Sequence, residues 1–288
     1  MATPPPLDAA GGPYRLGVIG DPVAHSLSPA LHQPALAAFG IPAVYERWHT
    51  PAPDLPSRIA TLRDRDALGA SVTVPHKVAV MSLIDDVSPQ ARRAGAVNTI
   101  VNRGGNLFGD NTDIHGFSVT MSNVLAGSSP GIALVLGAGG AARAVVLALE
   151  AAGAGEIIVA NRDVQRAMEL AEDLHPAPVR AAALDDDLLT RELSRAAILV
   201  NATSLGWRQG EMPLAASLLG RLPPDAVVVD LTYRDTDLLL AAARRDLRTS
   251  DGLPMLVHQG ARAFTLWTGY PAPVATMLAA ATTARDRA

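Results

Sequence analysis

Ile132-Ala-Leu-Val-Leu136-Gly137-Ala138-Gly139-Gly140-Ala141-Ala142 decides the fold. Its first five residues are uninterruptedly apolar, the pattern of a strand buried on both faces, and a helical pattern then runs through Ala152. The small residues between them fit the G-x-G-x-x-G/A turn, which lets backbone amides at a helix N-terminus approach a pyrophosphate. A glycine-rich turn alone is an ordinary strand–helix link. A second strand at 156–160 turns this one into a dinucleotide-binding unit.

That second strand ends at Ala160-Asn161-Arg162, where an NAD enzyme places an acid for the ribose diol. No acid sits at the tip. Arg162, with Arg166 one helical turn later, offers planar and permanently charged donors for a 2′-phosphate, so NADP is the expected cofactor. Asp163 lies between them and is expected to project away from both. The plainer alternative is that both arginines belong to a solvated helix start.

Working outward, strand-like runs at 15–19, 43–49, 70–74, 98–101, 132–136, 156–160, 197–200 and 226–230 alternate with helical patterns. This is the rhythm of parallel α/β sheets. A turn-rich stretch, Gly127-Ser-Ser-Pro-Gly131, separates the first group of strands from the second, so two sheets are expected. The tail carries helices at 255–267 and 272–284 and no further strand. The resulting division is a flexible leader at 1–13, an α/β domain at 14–115, a Rossmann-like domain at 116–251 and C-terminal helices at 252–288 that pack back on the first domain.

Composition narrows the function. The 288 residues are 49% hydrophobic and 18% charged, which excludes a disordered or coiled-coil chain. A net charge of −4 without a basic stripe makes nucleic acid and anionic membrane poor partners, and a small molecule the better one. There is no cysteine, hence no disulfide, thiolate metal site or thiol nucleophile, and a cytoplasmic location is expected. Neither a signal peptide nor an apolar span is legible. The seven histidines are scattered, so neither a zinc site nor a Ser-His-Asp triad is indicated.

Of 24 basic residues one alone, Lys77, is lysine. An ammonium can exchange protons where a guanidinium effectively cannot, so the exception invites a chemical explanation; drift in a GC-rich genome is the bland one. In Ser71-Val-Thr73-Val-Pro75-His76-Lys77 a strand ends in polar residues and Pro75 is expected to open a helix. Lys77 would then lie in its first turn, against the helix dipole and beside the strand's carboxyl end, where α/β proteins bind ligands. Asp113, before an apolar helical run, reads first as an N-cap; near Lys77 it would orient the ammonium. Ser28 likewise reads as an N-cap with Pro29 at N1, while Ser26 and Ser28 together could grip a carboxylate.

Taken in order, these segments resemble the shikimate dehydrogenase family from about Arg15 to Gly269. The carriers are His25-Ser26-Leu-Ser28-Pro29, Ser71 to Lys77, Gly95-Ala-Val-Asn98-Thr99, Asn111-Thr112-Asp113-Ile-His-Gly116-Phe117, the loop at 137–142, Asn161-Arg162, Asn201-Ala-Thr203-Ser204-Leu-Gly206, and Met255-Leu-Val-His-Gln259. The resemblance implies an N-terminal substrate domain, with Lys77 and Asp113 as catalytic dyad. It implies shikimate contacts from Ser26, Ser28, Thr73, Asn98, Asp113 and Gln259, with Tyr233 near the carboxylate. Gly137, Ala138, Gly139, Gly140, Ala141, Ala142, Asn161, Arg162, Arg166, Thr203 and Gly252 would hold NADP.

Four departures bear on packing at the site: Ser71 for the usual Asn, Gln33 for Asn after His32, Trp207 for Met, and a short stretch after Tyr233. The implied activity is NADP-dependent interconversion of 3-dehydroshikimate and shikimate, in the supply of chorismate and the aromatic amino acids. A quinate or aminoshikimate dehydrogenase is the neighbouring alternative, towards which the short side chain of Ser28 does not lean. A non-catalytic NADP-binding protein of the same fold is the other, and it would have no reason to keep both Lys77 and Asp113. A homodimer is compatible with this reading.

Overall fold

The structure, a computed structural model, describes residues 13–287; the expected leader lies outside them except for Pro13. The chain forms two compact units, one holding residues up to Gly116 together with Leu256 onward, the other Phe117–Met255.

The first unit contains β1 (Tyr14–Gly20), β2 (Ala43–His49), β3 (Ala67–Val72), β4 (Asp86–Val87), β5 (Thr99–Arg103) and β6 (Asn106–Asp110) in the order β2-β1-β3-β5-β6-β4. β1 runs parallel to β2 and β3, but β3–β5 and β5–β6 are antiparallel. The expected all-parallel pattern is therefore corrected: β5 and β6 are joined by Gly104-Gly105, a link too short for a crossover helix. One face of the sheet is closed by Ile19, Leu62, Val72, Val80, Val97 and Ile100, all buried. Each such aliphatic side chain contributes ~1.5–3 kcal/mol by leaving water. The tail helices Leu253–Thr268 and Val274–Arg285 end in this unit, and the second lies against the Ser28–Ala38 helix.

The second unit contains β7 (Ile132–Leu136), β8 (Glu156–Asn161), β9 (Val179–Ala183), β10 (Ile198–Asn201), β11 (Val227–Asp230) and β12 (Arg248–Ser250), in the order β12-β11-β10-β7-β8-β9. Every pair is parallel. Counted within the unit this is 3-2-1-4-5-6, the doubly wound order with its switch point between β7 and β10. Those two strands are wholly buried along Ala133–Leu136 and Ile198–Asn201, as strands covered on both faces must be.

Two helix expectations are corrected. No α-helix follows Pro75: residues 74–78 form turns and only a short 3-10 helix, Ala79–Leu83, comes after. The Lys77 carbonyl is taken by Val97 N at 2.7 Å, so it cannot enter a helical ladder and there is no helix dipole for Lys77 to oppose. The other helix begins earlier than expected: Leu31 N donates to Leu27 O, which makes Leu27 the N-cap residue and Ser28 the first helical one.

Candidate active site

The topology of the first sheet gathers its polar residues at one end. β1 and β3 finish there, and antiparallel β5 starts there. Ser26 and Ser28 follow β1, Thr73 and Lys77 follow β3, Asn98 precedes β5, and Asp113 opens the helix after β6. The ends are tied together by Thr73 N to Ile19 O at 2.8 Å and Val72 N to Asn98 O at 2.7 Å.

Lys77 Nζ donates to Asp113 Oδ2 at 2.5 Å, with side chains 13% and 6% exposed, so water screens the pair little. Asp113 is the second residue of the Thr112–Leu125 helix and not its cap, which corrects the plainer reading; the Asn111 side chain accepts from Ile114 N instead. Asn98 Nδ2 lies 2.8 Å from Asp113 Oδ1, 3.0 Å from Thr112 Oγ1 and 3.2 Å from Gln259 Oε1, three acceptors for two hydrogens. Asn98 Oδ1 accepts from Thr112 N at 2.7 Å. A buried asparagine thus fixes the carboxylate, and the carboxylate fixes the ammonium.

Ser26 and Ser28 are joined differently from the cap reading. Ser28 makes no side-chain cap; its Oγ accepts from Ser26 Oγ at 3.1 Å, and Ser28 N donates back to Ser26 Oγ at 3.3 Å. The two hydroxyls are thus paired with each other and not committed to capping the helix. Arg47 donates to Ser26 O at 2.8 Å and steadies the loop. Tyr233, implied near the carboxylate, belongs to the second unit, where it packs edge-on against Trp207 at 4.9 Å.

Three residues escaped the sequence reading. Tyr45, buried on the inward face of β2, donates to Ser71 Oγ at 2.8 Å; burial raises its phenol's proton affinity. His32 stacks on Tyr45, and burial lowers its imidazole from 6.5 to about 3. Burial alternates along Ala43 to Glu46 of this strand, which was the available signal for Tyr45. Asp230, the third, closes β11; burial pushes its carboxyl above the usual range, against hydrogen bonds from Thr232 N, Asn201 and Thr236.

In the second unit the turn after β7 has the form that a pyrophosphate needs. Gly137 has φ 102, and a Cβ there would come within 2.9 Å of Ala202 O. Gly139 precedes the Gly140–Ala151 helix without any side-chain cap, and a Cβ built on it meets nothing within 4 Å. Helix-start amides without a side-chain cap are of the kind that can take up an anion. Ala141 is half-buried and Ala142 fully buried, the small side chain that lets helix approach sheet. Thr203 Oγ1 donates to Asn201 Oδ1 at 2.7 Å beside this turn, on the loop after β10. Gly252 is required by packing, since a Cβ there would lie 2.0 Å from Leu231 O.

At the tip of β8, Asn161 Nδ2 donates to Asp163 O and Arg162 is exposed with no ion pair among the described residues. Asp163 does not project away as expected. It caps the Val164–Asp173 helix by accepting from Gln165 N, and its Oδ2 lies 3.9 Å from Arg166 Nε. That pair is exposed and weak, so Arg166 remains displaceable.

Among the described residues no cluster of side chains could hold a metal ion, and no helix is long and apolar enough to cross a membrane. Residues 18–100 match the family model of the shikimate dehydrogenase substrate binding domain, residues 124–208 that of shikimate/quinate 5-dehydrogenase, and residues 252–282 that of the shikimate 5′-dehydrogenase C-terminal domain. A shikimate dehydrogenase (NADP(+)) of Symbiobacterium thermophilum is 46% identical over 282 residues, 96% of each chain. The crystal structure of shikimate 5-dehydrogenase from Thermus thermophilus in complex with NADP(H) and shikimate is 44% identical, covers 94% of this chain and 99% of its own, and has a TM-score of 0.82. Quinate dehydrogenase from Corynebacterium glutamicum in complex with NAD is 32% identical, covers 95% and 100%, and has a TM-score of 0.84. With this identity along nearly its whole length, the chain belongs to the shikimate dehydrogenase family.

Proposed function

We infer that the protein catalyses the reversible NADP-dependent reduction of 3-dehydroshikimate to shikimate, the step that feeds chorismate and aromatic amino acid synthesis. The observation that carries this is the Lys77–Asp113 pair, 2.5 Å apart and held by Asn98 beside the two serine hydroxyls. NADP, when bound, supplies or accepts the hydride. The Gly137–Ala142 turn would hold its pyrophosphate, Arg162 and Arg166 its 2′-phosphate, with Asn161, Thr203 and Gly252 along the same strand ends.

Lys77 does the proton work. In the reducing direction its ammonium donates to the oxygen that gains charge as the carbonyl is reduced, and in the oxidising direction the amine accepts the hydroxyl proton. Asp113 keeps Nζ aimed and balances its charge. Ser26 and Ser28 donate to the substrate carboxylate, while Thr73, Asn98 and Gln259 meet the ring hydroxyls. We place the enzyme in the cytoplasm, with its soluble cofactor, and leave a homodimer as its assembly.

The test is absorbance at the NADPH band with shikimate, quinate and aminoshikimate, each with NADP and with NAD. Shikimate with NADP is expected to give the highest kcat/KM. Absence of shikimate-dependent reduction, or a preference for quinate, would sink the assignment.

A further inference from the structure

Below the serine loop lies a buried aromatic column that the proton chemistry does not use. Tyr45, 4% exposed, donates from Oη to Ser71 Oγ at 2.8 Å, and Ser28 is the second hydroxyl acting on the phenol. Ser28 in turn accepts from Ser26. The His32 ring stacks on the Tyr45 face at 4.5 Å and 16°, and Trp267 meets both rings, at 5.2 Å from His32 and 6.0 Å from Tyr45. Trp267 is itself anchored by Nε1 to Ile100 O at 2.8 Å. Among the described residues neither His32 nitrogen has a hydrogen-bond partner, so the imidazole holds Tyr45 by face contact and offers no polar group that competes for the phenol.

Ser71 stands in the middle of the site. It lies near the end of β3, before Thr73, and it pairs in register with Thr99, the neighbour of Asn98. A carboxylate offers acceptors only, so every hydroxyl facing it must turn its proton outward. A hydroxyl whose lone pair is already engaged by a buried donor is held in that orientation and strengthened as a donor.

We propose that Tyr45 is the positioning residue of the carboxylate subsite: by donating to Ser71 it leaves the Ser71 proton directed at the substrate anion, and by engaging Ser28 it holds the serine loop in place. This rests on the functional reading above. It also accounts for the Ser71 departure, because the short serine leaves the space that the Tyr45 hydroxyl occupies, where an Asn amide would bring donors of its own.

The experiment compares wild type, Tyr45→Phe, Ser71→Ala, Ser28→Ala and the Tyr45→Phe/Ser28→Ala pair, with shikimate and with shikimate methyl ester. Tyr45→Phe is expected to raise KM for shikimate about three- to tenfold, the worth of one net hydrogen bond. The change falls on KM rather than kcat, and KM for NADP stays put. The ratio of kcat/KM for acid over ester narrows, and the double variant loses less than the sum of its parts. Ser71→Ala, a small change at the strand end, moves the acid-to-ester ratio the same way and serves should Tyr45→Phe fold poorly. A lower Tm with KM and the acid-to-ester ratio unchanged, or a loss confined to kcat, overturns the proposal while leaving the activity intact. A wild type without shikimate activity removes the functional reading itself.

Discussion

Each unit places an asparagine at a strand end against a buried aspartate, and the two pairs do different work. In the first, Asn98 donates to Asp113, whose other oxygen receives Lys77 Nζ. In the second, Asn201 Nδ2 donates to Asp230 Oδ2 at 3.1 Å, joined by Thr236 Oγ1 at 2.9 Å, Thr232 N at 3.0 Å and the Thr232 side chain. Among the described residues no cation reaches Asp230, and burial raises its proton affinity. Its bonds fasten the loop after β11, and Asn201 also holds Leu205 O of the loop after β10. A carboxylate with neutral donors shapes loops. A carboxylate with an ammonium can move protons.

The sharpest way to break this contrast is to remove the cation. Lys77→Ala and Lys77→Arg are expected to lower kcat by ~10²–10⁴-fold with smaller changes in KM, as loss of a general acid/base does. Steady-state kinetics check it, and near-normal turnover in the Arg variant would refute proton transfer, since a guanidinium keeps its proton.

The two units should also differ in how pH acts on stability. His32 in the first unit is depressed to about 3 from 6.5, so the unfolded chain binds its proton first. Its contribution is complete above pH 6.5 and is lost as pH falls towards 3, at up to ~1.4 kcal/mol per pH unit. His32→Phe keeps the stack and should flatten that acid limb in urea midpoints measured from about pH 7 to about pH 4. Equal slopes in both proteins would show that the imidazole is not kept neutral.

A third measurement asks whether the second unit's exposed arginines act on a ligand as Lys77 does. Arg162→Ala should raise KM for NADP by about ten- to a hundredfold, the worth of one charge-assisted hydrogen bond of ~1.5–3 kcal/mol, and barely change KM for NAD. Arg166→Ala should do less, because Asp163 already lies 3.9 Å from it. Equal losses with both cofactors would detach the tip of β8 from the 2′-phosphate.

The smallest effect is expected at Asp230. Asp230→Asn leaves the surrounding donors facing an amide and should cost ~1–3 kcal/mol of stability with kcat retained. Because the folded carboxyl is raised, the wild-type contribution is full below the unfolded value near 3.8 and declines as pH climbs through the folded one. The gap between wild type and variant in urea midpoint should therefore shrink from about pH 4 to about pH 7. A kcat loss matching that of Lys77→Ala would erase the distinction between the two aspartates.

What was legible in the chain was whatever depends on local pattern. β7 and its glycine turn were readable because five consecutive apolar residues and small neighbours have one economical structure. Lys77, Asn98 and Asp113 were readable as residue types in motifs. β9 and β12 were not: Val-Arg-Ala-Ala-Ala and Arg-Thr-Ser lack the β-branched runs that mark strands, and they form only because β8 and β11 present open edges. β3 begins three residues before its expected start, at small residues whose pairing with β1 outweighs propensity. The missing helix at Lys77 goes with a distant partner, Val97 N on its carbonyl, which no local window contains, whereas the shifted start at Ser28 turns on a local choice, Leu31 N bonding to Leu27 O one residue earlier than the cap pattern suggests. Tyr45 and His32 were hidden for the opposite reason: an aromatic in an alternating strand looks like filling until its hydroxyl is seen to have a partner.

Gln33 carries one further consequence. β2 is an edge strand, and its odd-numbered residues turn their backbone groups away from β1, to which Pro42 O is bonded. Gln33 Nε2 donates to Ala43 O and Gln33 Oε1 accepts from Tyr45 N, both at 3.0 Å, the two bonds that a parallel neighbour would make. The sheet's opposite margin, β4, is two residues long. One margin is thus occupied by a side chain and the other is too short to recruit a strand, which protects the protein from edge-to-edge polymerisation at high concentration. A second copy seeking to extend the sheet through the start of β2 would first have to evict that amide.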